Sequence, residues 1–282
     1  MSMRRSLLIA ISLLIVLFAV GTGIGWYLLH DEAFLKSRLS TFVLGQTGRE
    51  LHIDGILRVD PGLATSVEAE GIRFANADWA DEPDMARIGR LRVVIDIPSL
   101  IGKTPVIRLL DVADCSLTLV EREDGVANWD VLPESADSPK PPRSEGMPVV
   151  LLDAEIRNCS LSHTAPGREQ ALLVAVEDWS QQLRENQRWQ IQGAGSVDGE
   201  PVAIEGFLAP AGALVSGGRI EHELKIHIGE TSLQSAGTIQ DVATGQGANI
   251  NLQFEGPEIA RVFSFLLFAT SPGSFTFVFL QV

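Results

Sequence analysis

Five histidines, two cysteines and a few acidic clusters are the residues of this 282-residue chain that could carry catalytic or metal chemistry. None of His30, His52, His163, His222 and His227 is paired at the spacing of a zinc site on one element, and His222 and His227, an odd number apart, fall on opposite faces of a strand. They read as surface or turn histidines. A cysteine nucleophile needs a histidine to activate it, and Cys115 has none nearby in the chain. Cys159 has His163 four residues on, strand-compatible on one face but more simply a coincidence. In an oxidising compartment Cys115 and Cys159 either pair or sit buried as small apolar residues; the sequence leaves both open. Glu32, Asp81, Glu82 and Asp84 lack the glycine and register of a calcium loop. Gly193-Ala194-Gly195 and Gly217-Gly218 lack the helix with Lys-Ser or Lys-Thr that completes a phosphate loop. The expectation is a protein without enzymatic activity, with no metal site and no cofactor.

The elements around these residues have plainer signals. Leu7 to Leu29 contains no charged side chain, follows Arg4 and Arg5 and gives way to Asp31 and Glu32. As a helix it covers about 34 Å, enough for one membrane span. A cleaved signal with small residues at Ala19-Val20-Gly21 is the alternative, but the run stays apolar through Trp26, Tyr27, Leu28 and Leu29, and the aromatic pair suits an interfacial belt. Either way the rest of the chain is exported, with residues 1–30 as anchor and the N-terminus in the cytoplasm. A net charge of −14 argues against nucleic acid or an anionic bilayer as a binding surface, while 45% hydrophobic residues supply an ample core.

Residues 31–47 carry Phe34, Leu35, Leu39, Phe42 and Val43 near helical spacing, which predicts an amphipathic helix stopped near Gly45 or Gly48. Beyond it the period becomes two: Val93, Ile95 and Ile97; Leu117 and Leu119; Leu224, Ile226 and Ile228; Ile250, Leu252 and Phe254. Such segments predict a long, mostly antiparallel β-sheet with one apolar face. Asp54-Gly55, Asp124-Gly125 and Asp198-Gly199 sit between runs that could pair, the last being the best hairpin. Pro-rich residues 133–148 form a linker or loop between β segments 48–132 and 149–257. The two segments share a pattern, Leu109-Leu110-Asp111 with Cys115-Ser116-Leu117 against Leu151-Leu152-Asp153 with Cys159-Ser160-Leu161, offset by two residues so that a bulge or insertion is required. Residues 258–282 read as an incomplete apolar β unit, with a segment Val262 to Phe268, a turn at Ser271-Pro272-Gly273-Ser274 and a strand Phe275 to Leu280. A fragment, a frameshifted product and a short form are not distinguishable here.

Several landmarks come in a particular order: Thr47-Gly48-Arg49, Leu51-His52-Ile53-Asp54-Gly55, Asn76-Ala77-Asp78-Trp79, and Glu121-Arg122-Glu123-Asp124-Gly125 leading to Asn128-Trp129. In that order they resemble the N-terminal region of the AsmA family of Gram-negative envelope proteins. The resemblance implies a single-pass inner-membrane protein with its bulk in the periplasm, associated with outer-membrane biogenesis and phospholipid transport. It also implies a curved, groove-like sheet whose apolar floor meets membrane lipids, and envelope proteins as further partners. The residues expected on that floor are Val93, Ile95, Ile97, Leu117, Leu119, Leu224, Ile226, Ile228, Ile250, Leu252 and Phe254. A scaffold for envelope proteins, its apolar face closed by a second layer, is the alternative; an envelope hydrolase is a more distant one.

Overall fold

The structure, a computed structural model, describes residues 31–101, 105–130, 150–167, 170–210, 218–241 and 246–256. The expected anchor (1–30), Pro-rich linker (133–148) and C-terminal unit (258–282) lie outside the described residues. Among the described residues no helix is long and apolar enough to cross a membrane.

One helix, α1 (Glu32–Thr47), precedes the strands. Asp31 caps it, its carboxylate accepting from Phe34 N at 3.1 Å, and Gly48 ends it in the left-handed region at φ 69°. Its apolar residues do not collect on a single face as the spacing predicted: Leu39, Phe42 and Leu44 are exposed and only Leu35 joins the adjacent core. The reason is its position. α1 lies along the edge of the sheet, fastened by polar contacts: Ser40 Oγ donates to Leu51 O at 2.6 Å, Lys36 Nζ donates to Gly55 O, and Glu32 Oε1 accepts from Leu57 N at 3.2 Å. A helix along an edge needs no continuous apolar stripe.

Twelve strands form one sheet. They are β1 (Leu51–Ile53), β2 (Leu57–Asp60), β3 (Ala64–Ala75), β4 (Asp84–Asp96), β5 (Val106–Val120), β6 (Val150–Thr164), β7 (Leu172–Leu183), β8 (Trp189–Val197), β9 (Glu200–Ala209), β10 (Ile220–Ile228), β11 (Thr231–Ile239) and β12 (Asn249–Glu255). The order follows the chain from β3 to β12; β1 and β2 both pair with β3. Asp54-Gly55 is thus an interruption of the edge rather than a hairpin turn. Asp124-Gly125 lies in a small turn closed by the bridge Glu121 to Ala127, and Asp198-Gly199 makes the expected β8–β9 hairpin.

All pairings are antiparallel except β5 with β6. That pair runs in a constant register, Val106 against Val150 through Val120 against Thr164, so the repeat needs no insertion. Asp111 opposes Glu155 rather than Asp153, and Cys115 opposes Cys159. The two segments read from the sequence belong to this one sheet.

Directly paired residues share a face, so the register sorts the side chains. Regular alternation fails along one line. Gly71 (φ 63°), Asp114 (φ 57°) and Asn158 (φ 52°) have left-handed backbones. The pairings around them put Gly71 opposite Gly89, Gly89 opposite Asp114, Asp114 opposite Asn158 and Asn158 opposite Glu177. Glu177 is itself the residue of a bulge against β8. Asn158 Nδ2 donates to Asp114 Oδ1 at 2.6 Å, tying two kinks together. At this crease the apolar residues of each strand step by three instead of two: Ala69 to Ile72, Ile88 to Leu91, Val112 to Cys115, Ile156 to Cys159, Val176 to Trp179. Aligned kinks bend the sheet as one without turning its apolar side chains to water.

Candidate functional site

The register gathers an apolar face across the sheet. Of the residues expected on a lipid-facing floor, Val93 pairs with Val67 and Leu110, and Ile95 with Ile107. Leu117 pairs with Ala86 and Leu161, and Leu119 with His163. Leu224 pairs with Gly206 and Ser235, Ile226 with Ile204 and Leu233, and Ile228 with Val202 and Thr231. Ile250, Leu252 and Phe254 stand against Gly237, Ser235 and Leu233. These ten lie on the same side of the sheet. Ile97 does not. Pro98 follows it and β4 ends at Asp96, after which Ile97–Ile101 forms a 3-10 turn, with Asp96 Oδ1 accepting from Ser99 N at 3.1 Å.

Coverage of this face is uneven. At the α1 edge, Leu57, Ala69 and Ile72 are buried, with Leu35, Leu51, Ile53, Val67, Ile88 and Leu91 packed on them. Among the described residues no element is layered over the face from β7 to β12, where Trp189, Ile191, Ile220 and Leu233 are buried and the other apolar residues are mostly half-buried. The floor there also has gaps: Gly206 holds a backbone at φ 148°, and a Cβ on it would meet Glu223 O at 2.0 Å. Neighbouring strands approach so closely that only glycine fits.

The positions that carried the family resemblance, Thr47, Gly48, Arg49, Asn76, Trp79, Gly125, Asn128 and Trp129, converge at one end of the sheet. Asn128 is fully buried. Its Nδ2 donates to Asn76 Oδ1 at 2.8 Å and to Thr118 O at 2.7 Å, and its Oδ1 accepts from Val120 N at 2.9 Å. Asn76 Oδ1 also accepts from Ala77 N at 2.9 Å. Arg49, placed by Thr47 Oγ1 accepting its backbone N–H at 3.2 Å, donates to Asn128 O and lies 3.4 Å from Met85 Sδ. Burial lowers the pKa of its guanidinium from the ordinary value. Arg122 stacks over Trp79, and Trp129 tilts against His163 with ring centroids 5.6 Å apart. The knot ties the end of α1, the β3–β4 loop and the turn after β5 into a polar closure. Such a set of buried amides is structural: every donor but Asn76 Nδ2 has a partner. Their contact is not visible in the sequence, where Asn76 and Asn128 stand 52 positions apart. The signal was their chemistry, two asparagines beside tryptophans at strand ends.

Among the described residues no three His, Cys, Asp or Glu side chains are grouped to hold a metal. Cys115 and Cys159 form a disulfide across β5 and β6, on the apolar face. A cleft of about 570 Å³ by Glu32, Arg58, Glu68 and Arg92 holds carboxylates that already have cationic partners, Lys36 on Glu32 and Arg92 on Glu68. The Lys36 contact holds the Glu32 carboxyl below its ordinary pKa. Asp54 and Asp96 are lowered likewise by Arg73 and Arg108. His222 is buried on the apolar face; its Nε2 pairs with Ser235 Oγ at 2.8 Å, Nδ1 has no partner, and burial lowers its pKa.

The profile of the AsmA family matches residues 1–194. No curated protein matches the chain.

Proposed function

The chain belongs to the AsmA family, and on that premise we propose that it is a single-pass inner-membrane protein with its sheet in the periplasm, binding phospholipid acyl chains on the apolar face as part of phospholipid transport and outer-membrane biogenesis. The reading is non-enzymatic and needs no cofactor. The observation that carries it is the ten apolar side chains from β4 to β12 aligned on one face, with no described element layered over its second half. Apolar area left in water costs roughly 25 cal/mol per Å², and acyl chains are an adequate cover. The outward face, with Glu223, Lys225, Asn251 and Gln253, keeps such a protein soluble.

Native mass spectrometry of residues 31–282 from an envelope fraction, with lipid extraction in parallel, tests this. Stoichiometric phospholipid is expected. A folded, lipid-free protein would sink the reading and favour a scaffold for envelope proteins.

A further inference from the structure

The strand ends opposite the asparagine knot carry apolar side chains with no described element over them. Leu63, in the turn between β2 and β3, is 76% exposed; Leu100 and Ile101, in the 3-10 turn after β4, are 52% and 92% exposed, and Ile97 36%. They form one patch, since Ile97 N donates to Leu63 O at 2.9 Å and Ala64 pairs with Asp96 directly beneath. Loop tips in water usually present polar residues. This one satisfies its polar groups inward: Ser99 N reaches Asp96 Oδ1, Ser99 Oγ accepts from Val106 N at 2.8 Å, and Arg108 holds the Asp96 carboxylate. Apolar atoms turned out and polar atoms paired within is the arrangement an apolar medium requires.

The direction of α1 says which medium that is. The helix runs from Glu32, on Leu57 N, to the knot, where Arg49 meets Asn128. Its N-terminus therefore points to the same end of the sheet as the tip, and the uncharged run Leu7 to Leu29 ends two residues before Asp31. Three strand steps from Leu57 to Asp60 carry the tip about 10 Å past the level of Glu32, comparable to the depth of interfacial insertion.

We propose that the tip of Leu63, Ile97, Leu100 and Ile101 docks into the headgroup layer of the bilayer that anchors the chain, so that the first strands of the apolar face begin at the lipid surface. This rests on the reading of Leu7 to Leu29 as a membrane span. The contact is apolar, so salt does not release it.

The test uses the full chain in phosphatidylethanolamine–phosphatidylglycerol vesicles. With the Cys115–Cys159 bond intact, Ile101→Cys carries a single environment-sensitive fluorophore, and Glu123→Cys carries the same fluorophore at the opposite end. Lipid-borne quencher is expected to reduce emission about twofold or more at 101, in low and high salt alike, and to leave 123 unchanged, as interfacial burial of one end requires. Equal quenching at both positions, or none at 101, overturns the proposal. Carbonate extraction run in parallel separates the two failures. A chain that resists extraction with 101 unquenched loses the docked tip alone, whereas a chain that is extracted loses the anchor, and the tip with it.

Discussion

The two halves of the sheet hold the same kind of apolar face by different means. From β1 to β6 the chain fastens it: α1 lies along the edge, the Asn76–Asn128 pair closes one end, a disulfide joins β5 to β6, and the outer face carries ion pairs such as Arg92 with Glu68 and Arg157 with Asp111. From β7 to β12, among the described residues, each strand is held by the strands paired with it, β12 by β11 alone, and the outer face adds amides such as Gln182, Gln190, Gln192, Gln234, Asn249 and Asn251 to charges such as Glu223 and Lys225. Ile72 and Ile226 are the same residue type on the same face. One sits at 9% exposure in a packed cluster; the other is half-buried with nothing described above it. Coverage, and not residue type, makes one of them core.

The sharpest way to break this contrast is to charge both sites. Ile72→Asp puts a carboxylate in the α1 cluster and is expected to cost more than about 4 kcal/mol, seen as loss of the cooperative thermal transition. Ile226→Asp and Leu252→Asp are expected to keep the fold and lose bound phospholipid, measured by circular dichroism and lipid extraction. Unfolding of these two variants to the extent of Ile72→Asp would make the second half an ordinary core. Next comes the disulfide, which closes a loop of 44 residues; replacing both cysteines by alanine is expected to cost about 4 kcal/mol on the loop-closure argument. Hydrogen exchange should locate the loss in β5 and β6, with β10 to β12 unchanged. A smaller effect, about 3 kcal/mol in urea unfolding, is expected of Asn128→Ala, which strands Val120 N and Thr118 O.

The smallest effect is in pH and belongs to the second half. Burial lowers the His222 pKa, so the unfolded chain binds the proton more readily than the folded one. Its contribution to stability is complete above the unfolded value near 6.5 and is lost as the pH falls from there through the lowered folded value. The urea midpoint should fall slightly on acidification through that window, and His222→Phe should remove that part of the fall.

Much of the second half was legible because its strands keep strict period two: Leu224, Ile226 and Ile228, and Ile250, Leu252 and Phe254, name the face without a structure. The hairpin at Asp198-Gly199 followed from turn chemistry. In the first half the crease spoils that reading, since a step of three between Val112 and Cys115 looks like an end of periodicity when it is a kink that keeps the face. Ile97 was misplaced because alternation carries no information on where Pro98 ends a ladder. Parallel pairing of β5 and β6 depends on a crossover, not on either strand's own residues, so local pattern could not supply the register that unites Cys115 with Cys159. The asparagine knot eluded sequence reading for a related reason: Asn76 and Asn128 are 52 positions apart and meet only through topology.

From β6 onward each strand turns back beside the one before it, with no further crossover. A meander of this kind is a ruler. Each additional hairpin would lengthen the floor by about 10 Å, two strand spacings, without altering any earlier contact. The length of the floor is thus set by counting hairpins, with the α1 end of the molecule unchanged.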